Sequence, residues 1–118
     1  MFYDYFDIDI ERLRREVTVS EDGILDGRAI AKGVESQVAD GVKALRGRGV
    51  VPHLAVVRVG ADAASEIYVN QKIKSCDRLG MESSHVHLPG DLGREELIRR
   101  IRSLVNDETV HGVLLQLP

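Results

Sequence analysis

Hydrophobic and polar positions along this chain switch between two periods. Ile30, Val34, Val38, Val42 and Leu45 recur at i, i+4, i+8, i+12 and i+15, one apolar stripe along a helix that opens at Asp26 or Gly27. Gly47-Arg48-Gly49 stops it. Leu54-Ala55-Val56-Val57-Arg58-Val59 is rich in β-branched residues, the mark of a mostly buried strand, and Gly60 ends the run. Ala63 to about Leu79 reads as a helix, with Ile67, Cys76 and Leu79 expected toward the sheet and Gly80 placed as a left-handed cap. Ser83 to Leu88 alternates as a second strand, closed by Pro89-Gly90. Asp91 or Gly93 starts another helix. Glu95 and Glu96 fall in its first turn, where the helix dipole favours acids, and Leu97, Ile98, Ile101, Leu104 and Val105 form its apolar face. Asn106-Asp107-Glu108 is a turn, and Val110 to Leu117 a third strand. The order predicts an α/β fold: a small parallel sheet (β-α-β-α-β) flanked by helices, with right-handed crossovers, preceded by an amphipathic helix.

Residues 1–22 differ from the rest. They hold both Phe and two of the three Tyr, and carry Asp4, Asp7, Asp9, Glu11, Glu16, Glu21 and Asp22 against Arg12, Arg14 and Arg15. Ile10, Leu13 and Val17 are spaced i, i+3, i+7, so a short amphipathic helix can form there. It packs on the domain, packs on a partner, or stays a loose extension; the sequence does not choose. The expected division is an acidic aromatic extension, 1–22, and a domain, 23–118.

Composition narrows the classes. The 118 residues suit one domain, and 43% hydrophobic with 30% charged residues is ordinary for a globular chain. A formal net charge of −3 argues against nucleic acid as the main partner. No apolar run is long enough to span a membrane, and the first ten residues, acidic and without a basic residue, are not a signal peptide. Cys76 stands alone, which excludes an internal disulfide and fits a reducing, cytoplasmic setting; it is expected in core packing.

Candidate chemistry gathers where the first strand turns into its helix. That junction lies at the carboxyl end of a strand, where ligands bind in open α/β sheets. Ser65, Tyr68 and Lys72 follow at i, i+3 and i+7, on one helix face. A hydroxyl, a phenol and an amine there are reagents for a reaction. Tyr and Lys at i, i+4 also decorate solvated helices, so spacing alone leaves both readings open. The third strand shifts the balance. Its carboxyl end faces the same crevice, bringing Gln116 near Lys72, with Leu117-Pro118 as a rigid apolar wall. A half-buried amine sheds part of its hydration, which suits it to proton transfer.

Other chemistries are weakly supported. The only Gly-x-Gly is Gly47-Arg48-Gly49, and position 52 is Pro where a dinucleotide fingerprint needs glycine. There is no Walker loop. His85 and His87 share one strand face, but no acid or Cys cluster completes a ligand set, so no metal is expected. His53 and His111 read as surface or capping residues. A phosphate site on the Gly60 turn is opposed by Asp62, an acid where the anion would sit.

Three stretches together resemble a known family. Ile24-Leu25-Asp26-Gly27-Arg28-Ala29-Ile30-Ala31, Val59-Gly60 followed by Ala64-Ser65-Glu66-Ile67-Tyr68-Val69-Asn70-Gln71-Lys72, and Gly112-Val113-Leu114-Leu115-Gln116-Leu117-Pro118 look like the amino-terminal catalytic domain of bifunctional methylenetetrahydrofolate dehydrogenase/methenyltetrahydrofolate cyclohydrolases. The resemblance covers about residues 24–118. It implies oxidation of 5,10-methylenetetrahydrofolate with NAD(P)+ and hydrolysis of the methenyl product to 10-formyltetrahydrofolate. It implies that Lys72 is the general acid/base, that Tyr68 stacks on the ligand's ring system, and that Gln116 tunes Lys72. Ser65, Tyr68, Val69, Asn70, Gln71 and Lys72, with Leu115, Gln116, Leu117 and Pro118, become the substrate-binding residues, Ser65 from behind the others. Tetrahydrofolate derivatives are the implied partners. Apolar surface that a second domain and last helix of the family would cover predicts a homodimer or higher oligomer, and charge and hydropathy leave no nucleic acid or membrane partner expected.

The chain departs from the family's pattern. A further Leu-Pro, a pterin-gripping aspartate and the NAD(P)-binding Rossmann domain would follow Pro118, so the chain reads as a fragment without a cofactor site, and the parent's NADP or NAD preference is not written in it. His111 stands where the family usually has Asp. The competing reading is a non-catalytic α/β module that binds a partner or self-associates.

Overall fold

The computed structural model describes residues 8–16 and 23–117, and the expectations placed on Val17, on Pro118 and on the aromatic residues of the first segment lie outside them. The chain forms two compact units, Met1–Gly49 and Val50–Pro118.

The first unit is a helix pair. Helix α1 spans Ile10–Glu16 and α2 spans Gly27–Gly47. Each begins on an aspartate that satisfies otherwise orphaned amides. Asp9 Oδ1 accepts from the Arg12 N–H at 2.8 Å, and Asp26 Oδ1 accepts from Arg28 and Ala29 at 2.9 and 3.2 Å. The pair is stitched by a reciprocal contact: the Asp9 N–H donates to Gln37 Oε1 at 2.7 Å, and Gln37 Nε2 donates to the Asp9 carbonyl at 3.2 Å. Among the described residues of this unit, Leu13 and Val42 are the buried apolar ones. Thus α1 docks on α2. Ile10 is 55% exposed and is no part of a buried stripe, because a helix of 7 residues offers α2 little more than the side around Leu13.

The second unit is the parallel sheet with its two crossover helices. Strands β1 (His53–Val59), β2 (Glu82–Leu88) and β3 (Gly112–Gln116) alternate with α3 (Ala63–Leu79) and α4 (Arg94–Val105). The sheet order is β2-β1-β3, all parallel. Strand β1 is therefore central, which explains why its sequence is a continuous apolar run: Ala55, Val56 and Val57 are each 0% exposed. Helix α3 packs against β1 and β2 through Val69 and Cys76, both buried, and burial pushes the Cys76 thiol up from its ordinary range. Gly80 caps α3 with φ 77°, ψ 23°, the left-handed conformation that favours glycine.

Three expectations are corrected. Ile67 is 58% exposed: Ser65 and Val69 face inward, and a residue midway between them on a helix points the opposite way. Val105, at the end of α4, is 62% exposed, leaving Leu97, Ile98, Ile101 and Leu104 as the half-buried face. Strand β3 is shorter than the apolar run that suggested it. The Val110 N–H is held by the Asp107 carbonyl at 3.0 Å, a turn bond that delays pairing.

Two histidines join the strands at the amino end of the sheet. The His111 N–H donates to the His53 carbonyl at 3.0 Å, and His111 Nδ1 accepts from the His53 N–H at 3.2 Å. The His53 ring lies 3.2 Å from the Thr109 carbonyl and 3.1 Å from Ser84 Oγ.

Candidate active site

The junction between β1 and α3 is set by Gly60 and Asp62. Gly60 takes φ 80°, and its N–H donates to the Leu88 carbonyl at 2.9 Å, tying the turn to the end of β2. Asp62 caps α3: its carboxylate accepts from the Ser65 N–H at 2.7 Å. Hydrogen bonds from Ser65, first through its backbone and then through its side chain, hold the Asp62 carboxyl below the ordinary range. An acid thus fills the helix terminus that an anion would need. The residues of this turn do not fit a dinucleotide's pyrophosphate.

From this junction α3 carries its polar side chains to the carboxyl end of β3. Lys72 Nζ donates to Gln116 Oε1 at 2.9 Å, and Gln116 Nε2 donates to the Leu117 carbonyl at 3.1 Å. Ser65 Oγ lies 3.5 Å from the same carbonyl. The Lys72 amine sits 5.7 Å from the centre of the Tyr68 ring. Burial is graded across the group. Ser65 is 3% exposed, Lys72 and Gln116 are half-buried, and Tyr68 and Leu117 are each 55% exposed. The group therefore presents an aromatic face and an apolar side chain to solvent, with an amine held behind them by an amide.

Not every expected residue joins it. Val69 is 0% exposed and belongs to the core beneath the helix. Asn70 is exposed and lies about 160° around the helix from Lys72, away from Gln116. Gln71 is exposed, about 60° from Tyr68 on the side opposite Lys72. Leu115 is half-buried one residue before Gln116.

A second polar group lies in the same row of the sheet. Arg58 pairs in register with His87 on one side and Gln116 on the other. Its side chain is 6% exposed, with Nη1 3.2 Å from Glu66 Oε2. Nη2 lies 3.3 Å from His87 Nδ1, and His87 Nε2–H donates to the Gly60 carbonyl at 2.7 Å. The His85 and His87 rings are 6.2 Å apart and nearly parallel. Burial, then the charges of Arg58 and His87, push His85 below its ordinary range. Among the described residues no cluster of three or more His, Cys, Asp or Glu could hold a metal ion. Neither Arg58 nor Glu66 is singled out by the spacing of the candidate site residues. The signal was present: one arginine inside a run of valines.

Comparison with known proteins identifies the family of the chain. The family model for the tetrahydrofolate dehydrogenase/cyclohydrolase catalytic domain matches residues 25–118. A bifunctional protein FolD from Methanosarcina barkeri is 48% identical over 99 residues, which is 83% of this chain and 34% of that protein. FolD 2 from Geobacter sulfurreducens is 46% identical over 95 residues, 80% of this chain and 33% of that one. The crystal structure of the bifunctional FolD enzyme, methylenetetrahydrofolate dehydrogenase/cyclohydrolase, from Campylobacter jejuni superposes with a TM-score of 0.75 at 35% identity, covering 79% of this chain and 33% of that one. The Trypanosoma brucei enzyme, solved with NADP cofactor and an inhibitor, gives 0.73 at 32% identity, covering 80% of this chain and 33% of that one. The chain spans about a third of the length of these relatives. It belongs to the tetrahydrofolate dehydrogenase/cyclohydrolase family, of which residues 25–118 match the catalytic domain.

Proposed function

We propose that this chain is the substrate-binding part of a one-carbon folate enzyme. The parent activity oxidises 5,10-methylenetetrahydrofolate to the methenyl form with NAD(P)+, then hydrolyses that form to 10-formyltetrahydrofolate. The observation that carries the reading is Lys72 on Gln116 at 2.9 Å, with the Tyr68 ring beside the amine. A flat heteroaromatic ligand needs an aromatic platform, which the exposed Tyr68 ring offers. In the hydrolysis, water oxygen bonds to the bridging carbon and gives up one proton, which is released. The bond from that carbon to N5 then breaks as the remaining hydroxyl loses its proton to leave the formyl C=O, and N5 takes up one proton. A lysine amine held at the carbon can manage these transfers. Gln116 holds the amine, Leu117 bounds the pocket, and Ser65 supports it from below. Residues 23–118 form the folate domain in this reading.

The nicotinamide cofactor supplies a hydride acceptor when bound. In this reading it is NADP, as in the trypanosomal structure, or NAD, and it is held by parts of the parent protein other than these residues. These residues alone then have no dehydrogenase activity. The setting is cytoplasmic and the assembly a homodimer or higher oligomer, favoured by exposed Ile67, Tyr68 and Leu117. The test is titration with 5,10-methenyltetrahydrofolate, following binding and loss of the methenyl chromophore together. Binding that depends on Tyr68 and turnover that depends on Lys72 support the reading; a folded chain that binds no folate contradicts it.

A further inference from the structure

Among the described residues Arg58 interrupts the most deeply buried stretch, directly after Ala55, Val56 and Val57, each 0% exposed. Burying a guanidinium is costly unless its donors are met, and an apolar residue of similar volume is often as stable or more so. Here they are met incompletely. Nη1 pairs with Glu66 off the line of a hydrogen bond, Nη2 meets the His87 ring, and Nε finds no acceptor among the described residues. A cation kept on these terms is a poor stabiliser of a core, and such a group calls for another account.

Its place in the sheet supplies one. Register partners in a parallel sheet project to the same face, so Arg58, His87 and Gln116 form one row at the carboxyl end. Helix α3 grips that row twice. Glu66 reaches Arg58 on β1, and Lys72 reaches Gln116 on β3. At about 100° per residue, Glu66 and Lys72 stand roughly 120° apart around the helix, with the buried stripe Ser65, Val69 and Cys76 between them. The two contacts straddle the stripe and so fix the rotation of α3 about its axis. Apolar packing is non-directional and does this poorly. His87 closes the circuit by donating to the carbonyl of Gly60, the turn from which α3 springs.

We propose that Arg58 is a positioning residue, which with Glu66 and His87 locks the rotation of α3 and thereby holds Lys72 on Gln116 beside Tyr68. Only its catalytic consequence rests on the folate reading. Glu66→Gln cuts the circuit from its exposed end without disturbing the core, since Glu66 is 57% exposed. Arg58→Met empties it from the buried end, and Arg58→Lys keeps a cation for Glu66. The readout is the nuclear Overhauser contact between the Lys72 side-chain methylene next to Nζ and the Gln116 side-chain amide, in isotope-labelled chain. The contact is expected in the wild type and in Arg58→Lys. It falls at least about threefold in Glu66→Gln and Arg58→Met while the strand amides keep their shifts, and kcat for methenyltetrahydrofolate hydrolysis falls about tenfold with KM nearly unchanged. A contact of full strength in folded Glu66→Gln overturns the proposal, as does its absence from the wild type. If Arg58→Met does not fold, Glu66→Gln decides. Loss of the contact in a chain whose wild type shows no turnover upholds the positioning role and counts against the folate reading instead.

Discussion

Lys72 and Gln116 stand 44 residues apart in sequence, and the amine of one donates to the amide oxygen of the other at 2.9 Å. The contact is made possible by the parallel crossover. Helix α3 starts at the carboxyl end of β1 and β3 ends there, so two segments with no local relation meet at one corner of the sheet. The same contact leaves the lysine half-buried beside an exposed aromatic ring.

Gln116→Leu keeps the volume and removes the acceptor. In the folate reading the amine is then no longer held, and kcat for methenyltetrahydrofolate hydrolysis falls about tenfold or more, with KM changed far less. Steady-state kinetics with folded protein checks this. An equal loss in kcat/KM through KM alone points to a binding role for Gln116.

Gly80→Ala tests the cap of α3. At φ 77° a side chain meets steric strain that glycine avoids, so the variant loses about 1–2 kcal/mol. Tm drops by several degrees, read by circular dichroism. No change in Tm contradicts the left-handed cap.

That cap was legible in the sequence, as were all three strands, because glycine after a periodic stretch and valine-rich runs are local signals. The order of elements then fixed a parallel sheet. The fate of single residues on a helix was less legible. Ile67 is apolar and was expected inside, yet Ser65 is buried in its stead, since the turn capped by Asp62 sets which side of α3 meets the sheet. Lys72, Tyr68 and Gln116 could be paired from spacing plus topology. Arg58 stands out inside its run of valines, but its pairing with Glu66 could not be read, because it depends on which face of β1 helix α3 covers. The length of β3 was misjudged for a similar reason. Its apolar run begins at Val110, but the turn bond from Val110 to Asp107 is invisible to hydrophobic pattern.

Stability of the folded chain declines on acidification in two stages. His85 is held below its ordinary range, first by burial and then by Arg58 and His87. The unfolded chain therefore binds its proton more readily. The contribution is fully present above the ordinary histidine value, about 6.5, and is lost as pH falls through the lower folded value. Asp62 and Asp107 are held down by hydrogen bonds, from Ser65 and Thr109 respectively. Their contribution is present above the ordinary aspartate value, about 3.9, and is lost as pH falls through their folded values. Denaturant midpoints measured from pH 8 to pH 3 decline in that order, and Asp62→Asn shrinks the second stage. A midpoint that rises on acidification contradicts the assignment.

Self-association is the expectation tied to the apolar side chains left exposed on α3 and after β3. Ile67, Tyr68 and Leu117 are each more than half exposed. Light scattering at micromolar concentration is expected to give a dimer or higher oligomer, reduced by Ile67→Lys. A monomer throughout that range contradicts the expectation.

In the proposed function Tyr68, Lys72 and Gln116 form a folate site with a proton-transfer group. Titration with 5,10-methenyltetrahydrofolate, run on the wild type beside Tyr68→Ala and Lys72→Ala, tests it most directly. Binding is expected to disappear with Tyr68→Ala. Chromophore loss is expected to fall by about 10²–10⁴ with Lys72→Ala, the range of general acid–base catalysis. A folded wild-type chain that binds no folate, or binding indifferent to Tyr68, contradicts it.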